Sequence, residues 1–257
     1  MTLNTNEKPA VYYDDAYATD PLTGVAYRQS PYYPLFKKVT NYLVQAQARS
    51  VLEVGCGPGM LAELVMDTTS IQYGGFDFSP VAVKLAGERT GQPDRFFVGD
   101  ATNSASYISP FDAIVCCEVL EHIDRDLNVI ERWPAGTYCV CTVPNFDYES
   151  HVRFFHNEAE VCARYGTLID IEAISRVAKP PMRGMSARTY LRSLRWARDN
   201  SRRFLGLLGI NRFDYLAGWF VFVGRRRPVR MTAASSGTND NKTREHEFAL
   251  CLPAELP

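Results

Sequence analysis

Residues 50–59 of this 257-residue chain have the sequence SVLEVGCGPG. The segment begins with an apolar run of the kind that fills a buried parallel strand. It then places three glycines at alternate positions, Gly55, Gly57 and Gly59, before the helix-like stretch 60–66. Glycines let the backbone turn sharply and approach a ligand closely, and the free N–H groups of the next helix point at that ligand. The segment therefore predicts a nucleotide-type site at the first strand–helix turn of a doubly wound sheet.

The downstream sequence alternates strand-like and helix-like runs, as a parallel α/β sheet requires. We predict strands at 50–55, 71–76, 95–98, 112–117, 137–143, 168–177 and 219–225. We predict helices at 59–67, 80–89, 121–132 and 158–165, and Ser79 is the expected N-cap of the second one. Polar residues cluster where these strands end, which is the edge at which open α/β sheets bind ligands.

Composition is that of an ordinary globular protein. Hydrophobic residues make up 46% of the chain and the net charge is −1, so global charge indicates no particular partner. No apolar run reaches about 18 residues, and the N-terminus lacks the form of a signal peptide, so we expect no membrane association. Seven cysteines occur without a C-x-x-C pair. We interpret them as reduced, small apolar residues of a cytoplasmic protein.

Three segments depart from the alternating pattern. Residues 1–30 are expected to form a flexible N-terminus followed by a turn-rich aromatic lid over the cofactor, with a helix starting near Pro31. Residues 31–227 form the main domain, and within it residues 179–213 are a basic, mostly helical insert or cap. Residues 228–257 are polar and lack periodicity, which predicts a disordered tail.

The spacing of the glycines separates two kinds of nucleotide-binding enzyme. The dinucleotide pattern G-x-G-x-x-G would need a glycine where Met60 stands. The pattern here is E-x-G-x-G-x-G, from Glu53 to Gly59, and in it the chain resembles the class I S-adenosylmethionine (SAM) methyltransferases. The resemblance covers about residues 25–178. It implies an α/β, Rossmann-like, doubly wound sheet of seven strands, mainly parallel with the last strand antiparallel, and SAM as the cofactor.

Acidic residues at two strand ends complete the expected cofactor site. Asp77 follows the second strand, where a carboxylate can accept hydrogen bonds from ribose hydroxyls, and Phe78 can lie against adenine. The resemblance implies that Asp100 binds the adenine amino group. It also implies that Arg28 binds the methionine carboxylate, as in ubiquinone-pathway O-methyltransferases, although a surface arginine is the alternative. The predicted cofactor-binding residues are Tyr17, Arg28, Glu53, Gly55, Cys56, Gly57, Asp77, Phe78, Asp100, Ala101, Cys117 and Glu118.

The segment 118–122 follows the fourth strand and resembles the E-V-x-E-H segment of ubiquinone-type and other small-molecule methyltransferases. A hydroxyl acceptor needs a base for its proton, and His122, oriented by Glu121, is the candidate. The alternative is that His122 only shapes the pocket. The residues predicted to contact the acceptor are Tyr27, His122, Pro144, Phe146, His151, Phe155 and His156.

Two other functions stay open at this stage. Glu118, Glu121 and His122, with the downstream His151 and His156, also resemble the metal site of methyltransferases that modify the terminal 2′-hydroxyl of small RNAs. Those enzymes carry a Phe-Glu-Trp-Thr-Arg segment that this chain lacks, so we assign no metal ligand. A SAM-binding protein without catalytic activity is the other alternative.

The basic insert bears on the acceptor. Its arginines at helical spacing favour either an anionic acceptor or a solvated helix face at a dimer contact; they are Arg188, Arg192, Arg195, Arg198 and Arg202. We therefore predict a SAM-dependent methyltransferase that modifies an oxygen or nitrogen of a small metabolite, with an anionic acceptor favoured. Neither a membrane nor nucleic acid is the expected partner, and a homodimer is left open.

Overall fold

The computed structural model describes residues 7–107, 110–180, 191 and 201–228. These residues form one seven-stranded sheet in the order β3-β2-β1-β4-β5-β7-β6. Strands β1 to β5 pair in parallel, and β7 is antiparallel to both β5 and β6. The strands are β1 Ser50–Val54, β2 Gln72–Asp77, β3 Phe96–Val98, β4 Ala113–Cys116, β5 Tyr138–Pro144, β6 Ile169–Ala178 and β7 Gly218–Arg226. The predicted fold class is confirmed.

Helices cover both faces of this sheet. In the described residues they are α1 Ala10–Thr19, α2 Tyr33–Gln45, α3 Met60–Thr68, α4 Pro80–Thr90, α5 Asp126–Glu131, α6 Glu158–Tyr165, α7 Ser201–Leu207 and α8 Arg212–Tyr215. Ser79 caps α4 as expected, because its hydroxyl oxygen accepts the backbone N–H of Ala82 at 3.1 Å. Helix α1 is a difference from the sequence prediction, which treated this part of the chain as turns.

The helix predicted over residues 121–132 is interrupted. A 3-10 turn occupies Leu120–His122, and α5 begins only at Asp126. The guanidinium of Arg153 donates to the carbonyl oxygens of Leu120, Ile123 and Asp124. Because these carbonyl oxygens accept hydrogen bonds from a side chain distant in sequence, the helical hydrogen-bond pattern is not continued at these residues.

Alternation along the strands divides the core into two layers. Phe220 and Phe222 of β7 enter one apolar cluster, whereas Trp219 and Val221 enter the cluster on the other face. Strand β7 lies between β5 and β6, so both of its edges are hydrogen-bonded. The position of β7 brings the start of this strand beside the end of β5, where Pro144 pairs with Trp219.

Some of the predicted organisation falls outside the described residues. Of the insert 179–213, the arginines Arg188, Arg192, Arg195 and Arg198 lie outside them, as do residues 1–6 and all of the predicted tail after residue 228. The six cysteines of the described part are free thiols. None of the helices described is long and apolar enough to cross a lipid bilayer.

A buried carboxylate joins α5 to α6. Asp126 has no exposed surface. Its two oxygens accept hydrogen bonds from the Arg164 guanidinium at 2.8 and 2.5 Å, and one also accepts the Tyr165 hydroxyl at 2.8 Å. Arg153 lies 3.3 Å from the same carboxylate. The Asp126 carboxylate is therefore the counter-charge of two guanidinium groups.

We expect Asp126→Asn to lower the free energy of unfolding by about 3 kcal/mol, because two partly buried guanidinium groups lose their counter-charge. Chemical denaturation measures this change. Glu158→Gln is the matched control, because it breaks the exposed Glu158–Arg176 pair and should cost less than about 1 kcal/mol. Equal, small effects of the two substitutions would contradict the prediction.

Candidate active site

The loop after β1 has the backbone that its glycines predict. Gly57 and Gly59 both lie in the left-handed region, with φ of +50° and +77°. A Cβ at Gly59 would lie 2.7 Å from the Cα of Ala86 in α4, so a larger residue cannot fit there without moving that helix. At Gly57 a Cβ would lie 3.3 Å from the Tyr17 hydroxyl. The loop therefore presents bare backbone toward α1 and the carboxyl ends of the strands.

Asp77 ties this loop to the next one. Its Oδ2 accepts the backbone N–H of Gly57 at 2.9 Å, and its Oδ1 accepts that of Ser79 at 2.9 Å. Burial raises the pKa of Asp77, and these backbone donors act in the opposite direction. Each carboxylate oxygen can accept a second hydrogen bond. The predicted contact with ribose hydroxyls is therefore compatible with the structural role of Asp77.

The ends of β2 and β3 provide a surface for a flat base. Phe78 is 42% exposed although it directly follows the buried Asp77. The Gly99 N–H donates to the carbonyl oxygen of Asp77 at 2.9 Å, which fixes the turn that carries Asp100. Oδ1 of Asp100 accepts the N–H and hydroxyl of Thr102 at 2.7 and 2.8 Å. This arrangement suits adenine stacked on Phe78 beside the Asp100 carboxylate, so the structure fits the predicted SAM site.

Helix α1 forms part of the predicted lid. Its Asp14 accepts the Ser79 hydroxyl at 2.5 Å, so the helix is attached beside the cofactor loop. The Tyr13 ring lies 5.3 Å from that of Phe78 and 5.9 Å from that of His122. Further along the same surface, the Tyr12 hydroxyl donates to Glu149 at 2.7 Å, and Glu7 accepts the N–H of Asp124 at 2.8 Å. Helix α1 and Glu7, three residues before its start, thus contact both halves of the site.

Two predicted site residues lie near α3 instead. Tyr27 is buried in a separate apolar cluster with Met60 and Leu64, which does not fit its prediction as an acceptor contact. Arg28 is exposed, and its guanidinium carbon lies 4.8 Å from the Tyr27 ring centroid. Its contact with the methionine carboxylate stays a prediction.

Two further residues predicted to contact the acceptor lie elsewhere in the structure. Phe155 is buried in the core, where its ring lies 5.7 Å from that of Tyr165. His156 is exposed, and its Nδ1 lies 3.2 Å from a carboxylate oxygen of Glu160. An aromatic residue in the core and one in a pocket have the same sequence signature, which explains both differences.

Histidines 122 and 151 meet with Glu121 at the carboxyl end of β4. One ligand atom from each of these three residues lies within 4.8 Å of the others. His122 Nδ1 is 2.9 Å from the Ser150 carbonyl oxygen, and His151 Nδ1 is 3.2 Å from that of Phe146. A carbonyl oxygen only accepts, so Nδ1 carries the proton in both rings. The lone pair of each ring is therefore on Nε2, and no hydrogen bond to either Nε2 is found among the residues that the structure describes.

Burial sets the charges in this cluster. It lowers the pKa of His122 to about 4 and also lowers the pKa of His151, so both rings are neutral at neutral pH. Burial and the neighbouring Glu118 raise the pKa of Glu121 well above its ordinary range. Glu121 has no exposed surface, and within the described part of the chain neither of its oxygens has a hydrogen-bond partner. The prediction that Glu121 orients His122 is wrong, because the Ser150 carbonyl does so.

Glu118 adopts an unusual backbone conformation at the end of β4. Its φ is +59°, in the left-handed region that non-glycine residues rarely occupy. Its carboxylate accepts the Trp219 indole N–H at 2.6 Å and the Thr142 hydroxyl at 3.0 Å. Burial raises the pKa of Glu118 to about 7, although both hydrogen bonds oppose the shift. Such strain is commonly retained at functional sites.

Sequence reasoning missed the residues that surround this carboxylate. Trp219 is the second residue of β7, and its ring lies 5.4 Å from the Tyr32 ring and 6.2 Å from the Phe146 ring. Lys179, directly after β6, places its Nζ 5.2 Å from the Phe146 ring centroid. The order β5-β7-β6 brings these residues together, and no local sequence pattern carries that information.

Comparison with known proteins assigns the family. Residues 27–179, more than half of the chain, match the methyltransferase domain family. Over 102 residues the chain is 33% identical to the ubiquinone biosynthesis O-methyltransferase of Xanthomonas campestris pv. campestris, which covers 36% of this chain and 42% of that protein. The chain thus spans only about two-fifths of the length of its first curated relatives.

Solved structures share the fold at low sequence identity. The N-methyltransferase NodS of Bradyrhizobium japonicum superposes with a TM-score of 0.55 at 15% identity, over 85% of this chain and 99% of that one. SpnF, described as a [4+2]-cyclase, superposes with a TM-score of 0.52 at 18% identity, over 76% of this chain and 81% of that one. The same fold therefore occurs in proteins that are named for different activities.

We expect Asp77→Ala to weaken SAM binding by about 1–3 kcal/mol, because it removes a buried acceptor at the ribose position. Calorimetry measures the affinity, and a thermal melt verifies that the variant is folded. Asp112→Ala is the matched control, because the Asp112 carboxylate also accepts two backbone N–H groups but lies at the opposite edge of the sheet. Unchanged SAM affinity in a folded Asp77→Ala protein would remove the assignment.

Proposed function

Because the chain belongs to the class I SAM-dependent methyltransferases, we propose that it methylates an oxygen atom of a small, anionic metabolite. The observation that carries the proposal is the neutral His122, whose Nδ1 is bonded to the Ser150 carbonyl so that its lone pair is on Nε2. The ring lies beside Tyr13, which also contacts Phe78 of the candidate cofactor site. A hydroxyl group suits this position, because it can donate its proton to Nε2 while an oxygen lone pair faces the SAM methyl group.

The curated relatives support oxygen as the target. The first of them are named as O-methyltransferases, and the family match over residues 27–179 includes the segment with the proposed site. Three aromatic rings lie side by side there: the Trp219 ring is 5.4 Å from that of Tyr32 and 6.2 Å from that of Phe146. Together with Lys179 they provide an apolar wall and a cation for a flat acceptor that carries a negative charge.

The reaction needs little from the protein beyond position and a proton acceptor. The acceptor oxygen forms a bond to the methyl carbon while the sulfur–methyl bond breaks, and S-adenosylhomocysteine (SAH) leaves. The hydroxyl proton passes to Nε2 of His122. The low pKa of His122 keeps that atom unprotonated at neutral pH, but it also makes the ring a weak base. Proton transfer is therefore expected late, when the new bond to carbon has already made the hydroxyl acidic.

We expect His122→Asn to reduce turnover about 100-fold, which is a typical contribution of a general base. The asparagine amide can still donate to the Ser150 carbonyl, so the substitution removes mainly the Nε2 acceptor. The assay follows SAH formation together with the mass of the methylated product in a metabolite extract, and SAM affinity is measured in parallel.

His156→Asn is the control, because His156 is exposed and paired with Glu160 outside the cluster. It should leave turnover and SAM affinity unchanged. If His122→Asn lowers SAM affinity as much as it lowers turnover, His122 is structural and not a base. If no extract yields SAH above the level without acceptor, the proposal of catalysis gives way to that of a SAM-binding protein.

One observation favours a second candidate function, a metal-dependent RNA terminal 2′-O-methyltransferase. The buried carboxylate of Glu121, which has no hydrogen-bond partner among the described residues, lies within 4.8 Å of one ring nitrogen of His122 and one of His151. Two imidazoles and a carboxylate are a donor set that Zn²⁺, Mn²⁺ or Fe²⁺ accepts. A bound ion would lower the pKa of an acceptor hydroxyl.

For this second candidate we expect about one divalent ion per chain by elemental analysis of the purified protein, and its loss in Glu121→Gln. The analysis is independent of activity. Glu160→Gln, which alters an exposed carboxylate paired with His156, should keep the ion. Protein that contains no stoichiometric metal, and whose SAM turnover is unaffected by a chelator, would eliminate the metal-dependent function and leave the first proposal in place.

A further inference from the structure

Lys179 occupies a fixed backbone position at the acceptor side of the sheet. It directly follows β6, and its N–H donates to the Ala217 carbonyl at 2.9 Å. The Asn145 side chain bonds to the Gly218 N–H at 2.7 Å and to the Phe213 carbonyl at 2.8 Å. The residues that follow β5 and β6 are thus attached to the chain that leads into β7. The base of the lysine side chain is held in place by these backbone contacts.

The lysine side chain extends over the aromatic wall. Its Nζ lies 5.2 Å from the centroid of the Phe146 ring, within the range of a cation–π contact. The same ring lies 5.5 Å from His151 and 6.2 Å from Trp219, the residue that holds Glu118. Burial raises the pKa of Glu118 and lowers that of His151; the positive charge of Lys179 opposes the first shift and adds to the second. The ammonium group is therefore close enough to the acceptor cluster to influence the charges of Glu118 and His151.

No carboxylate neutralises this lysine among the residues that the structure describes. None of their carboxylate oxygens lies within the 4 Å of an ion pair with its Nζ. Glu118 is an acidic group of the acceptor cluster, but its oxygens already accept hydrogen bonds from Trp219 and Thr142. A cation beside an aromatic face and without its own anion is suited to bind one from solution.

We propose that Lys179 and Phe146 form an anion subsite that binds a carboxylate or phosphate group attached to a flat ring of the acceptor. The proposal rests on the proposed function, because it takes the cluster of His122 and His151 as the acceptor side. It goes beyond that function by naming the residue that selects anionic acceptors. Lys179 acts in binding and takes no part in the transfer of the methyl group.

The test measures binding of three probes to protein saturated with SAH. Benzoate and benzamide have the same ring and nearly the same size but differ in charge, and phenyl phosphate replaces the carboxylate by a phosphate. Wild-type protein should bind benzoate about tenfold more tightly than benzamide, the value of one hydrogen bond to a charged group. Comparison of benzoate with phenyl phosphate tells which of the two anions the subsite prefers.

Four variants make the result specific. Lys179→Met should reduce the benzoate-to-benzamide preference to about one, because the two side chains have similar bulk and only one is charged. Lys179→Arg should retain the preference. Lys38→Met is the matched control, since Lys38 Nζ also lies over a ring, that of Tyr42 at 4.8 Å, but on helix α2; it should behave as wild type. Phe146→Leu should weaken both probes alike, because it removes ring contact and keeps the charge.

Equal binding of benzoate and benzamide to wild-type protein, or no measurable binding of benzoate and phenyl phosphate, would overturn the subsite. So would a full preference for benzoate in Lys179→Met. Because the readout is binding, it separates this inference from methyl transfer. A lysine-dependent preference for anions in a protein that never forms SAH would support the subsite while the proposed function fails.

Discussion

The carboxylate of Asp77 joins the loop that follows β1 to the loop that follows β2. Strands β1 and β2 are parallel neighbours, so the glycine loop after one and the start of α4 after the other leave the sheet at the same edge. By accepting the N–H groups of Gly57 and Ser79, one buried side chain fixes both. The cost of burying the carboxylate is offset by these backbone donors. A group held in this way needs no rearrangement to receive a ligand, which is how preorganised binding is achieved.

The acceptor half of the site follows the opposite principle. There the polar groups have fewer partners than they could use: Glu121 has neither oxygen bonded within the described residues, and the two histidines each keep a free nitrogen. Unsatisfied buried polar atoms cost stability, and the left-handed backbone of Glu118 adds strain. Real proteins accept such violations of folding rules mainly where they function. The two halves therefore differ at their buried carboxylates: Asp77 accepts two backbone N–H groups, whereas neither oxygen of Glu121 has a hydrogen-bond partner among the described residues.

Local pattern explains which parts of the structure could be predicted from the sequence. The first strand, the glycine loop, Asp77 at the end of β2 and the Ser79 cap each depend on residues close in sequence, and all are found as expected. The predicted helix at 121–132 failed because Arg153, a distant residue, takes up the carbonyl groups that would have continued it. Tyr27 and Phe155 were misplaced because an aromatic side chain suits a core as well as a pocket. Trp219 and Lys179 were missed because only the order of β5, β7 and β6 makes them neighbours of Glu118.

Helix α1 and Glu7 before it touch both halves at once. Asp14 attaches the helix beside the cofactor loop, while Tyr12 and Glu7 attach this segment to the loops at Glu149 and Asp124 on the acceptor side. A ligand that strengthens one set of these contacts stabilises the docked helix and so favours the other set. Thermodynamic linkage makes this influence reciprocal, so the factor by which the cofactor improves acceptor binding equals the factor by which the acceptor improves cofactor binding. Through a single ten-residue helix, either ligand would thus raise the affinity of the protein for the other.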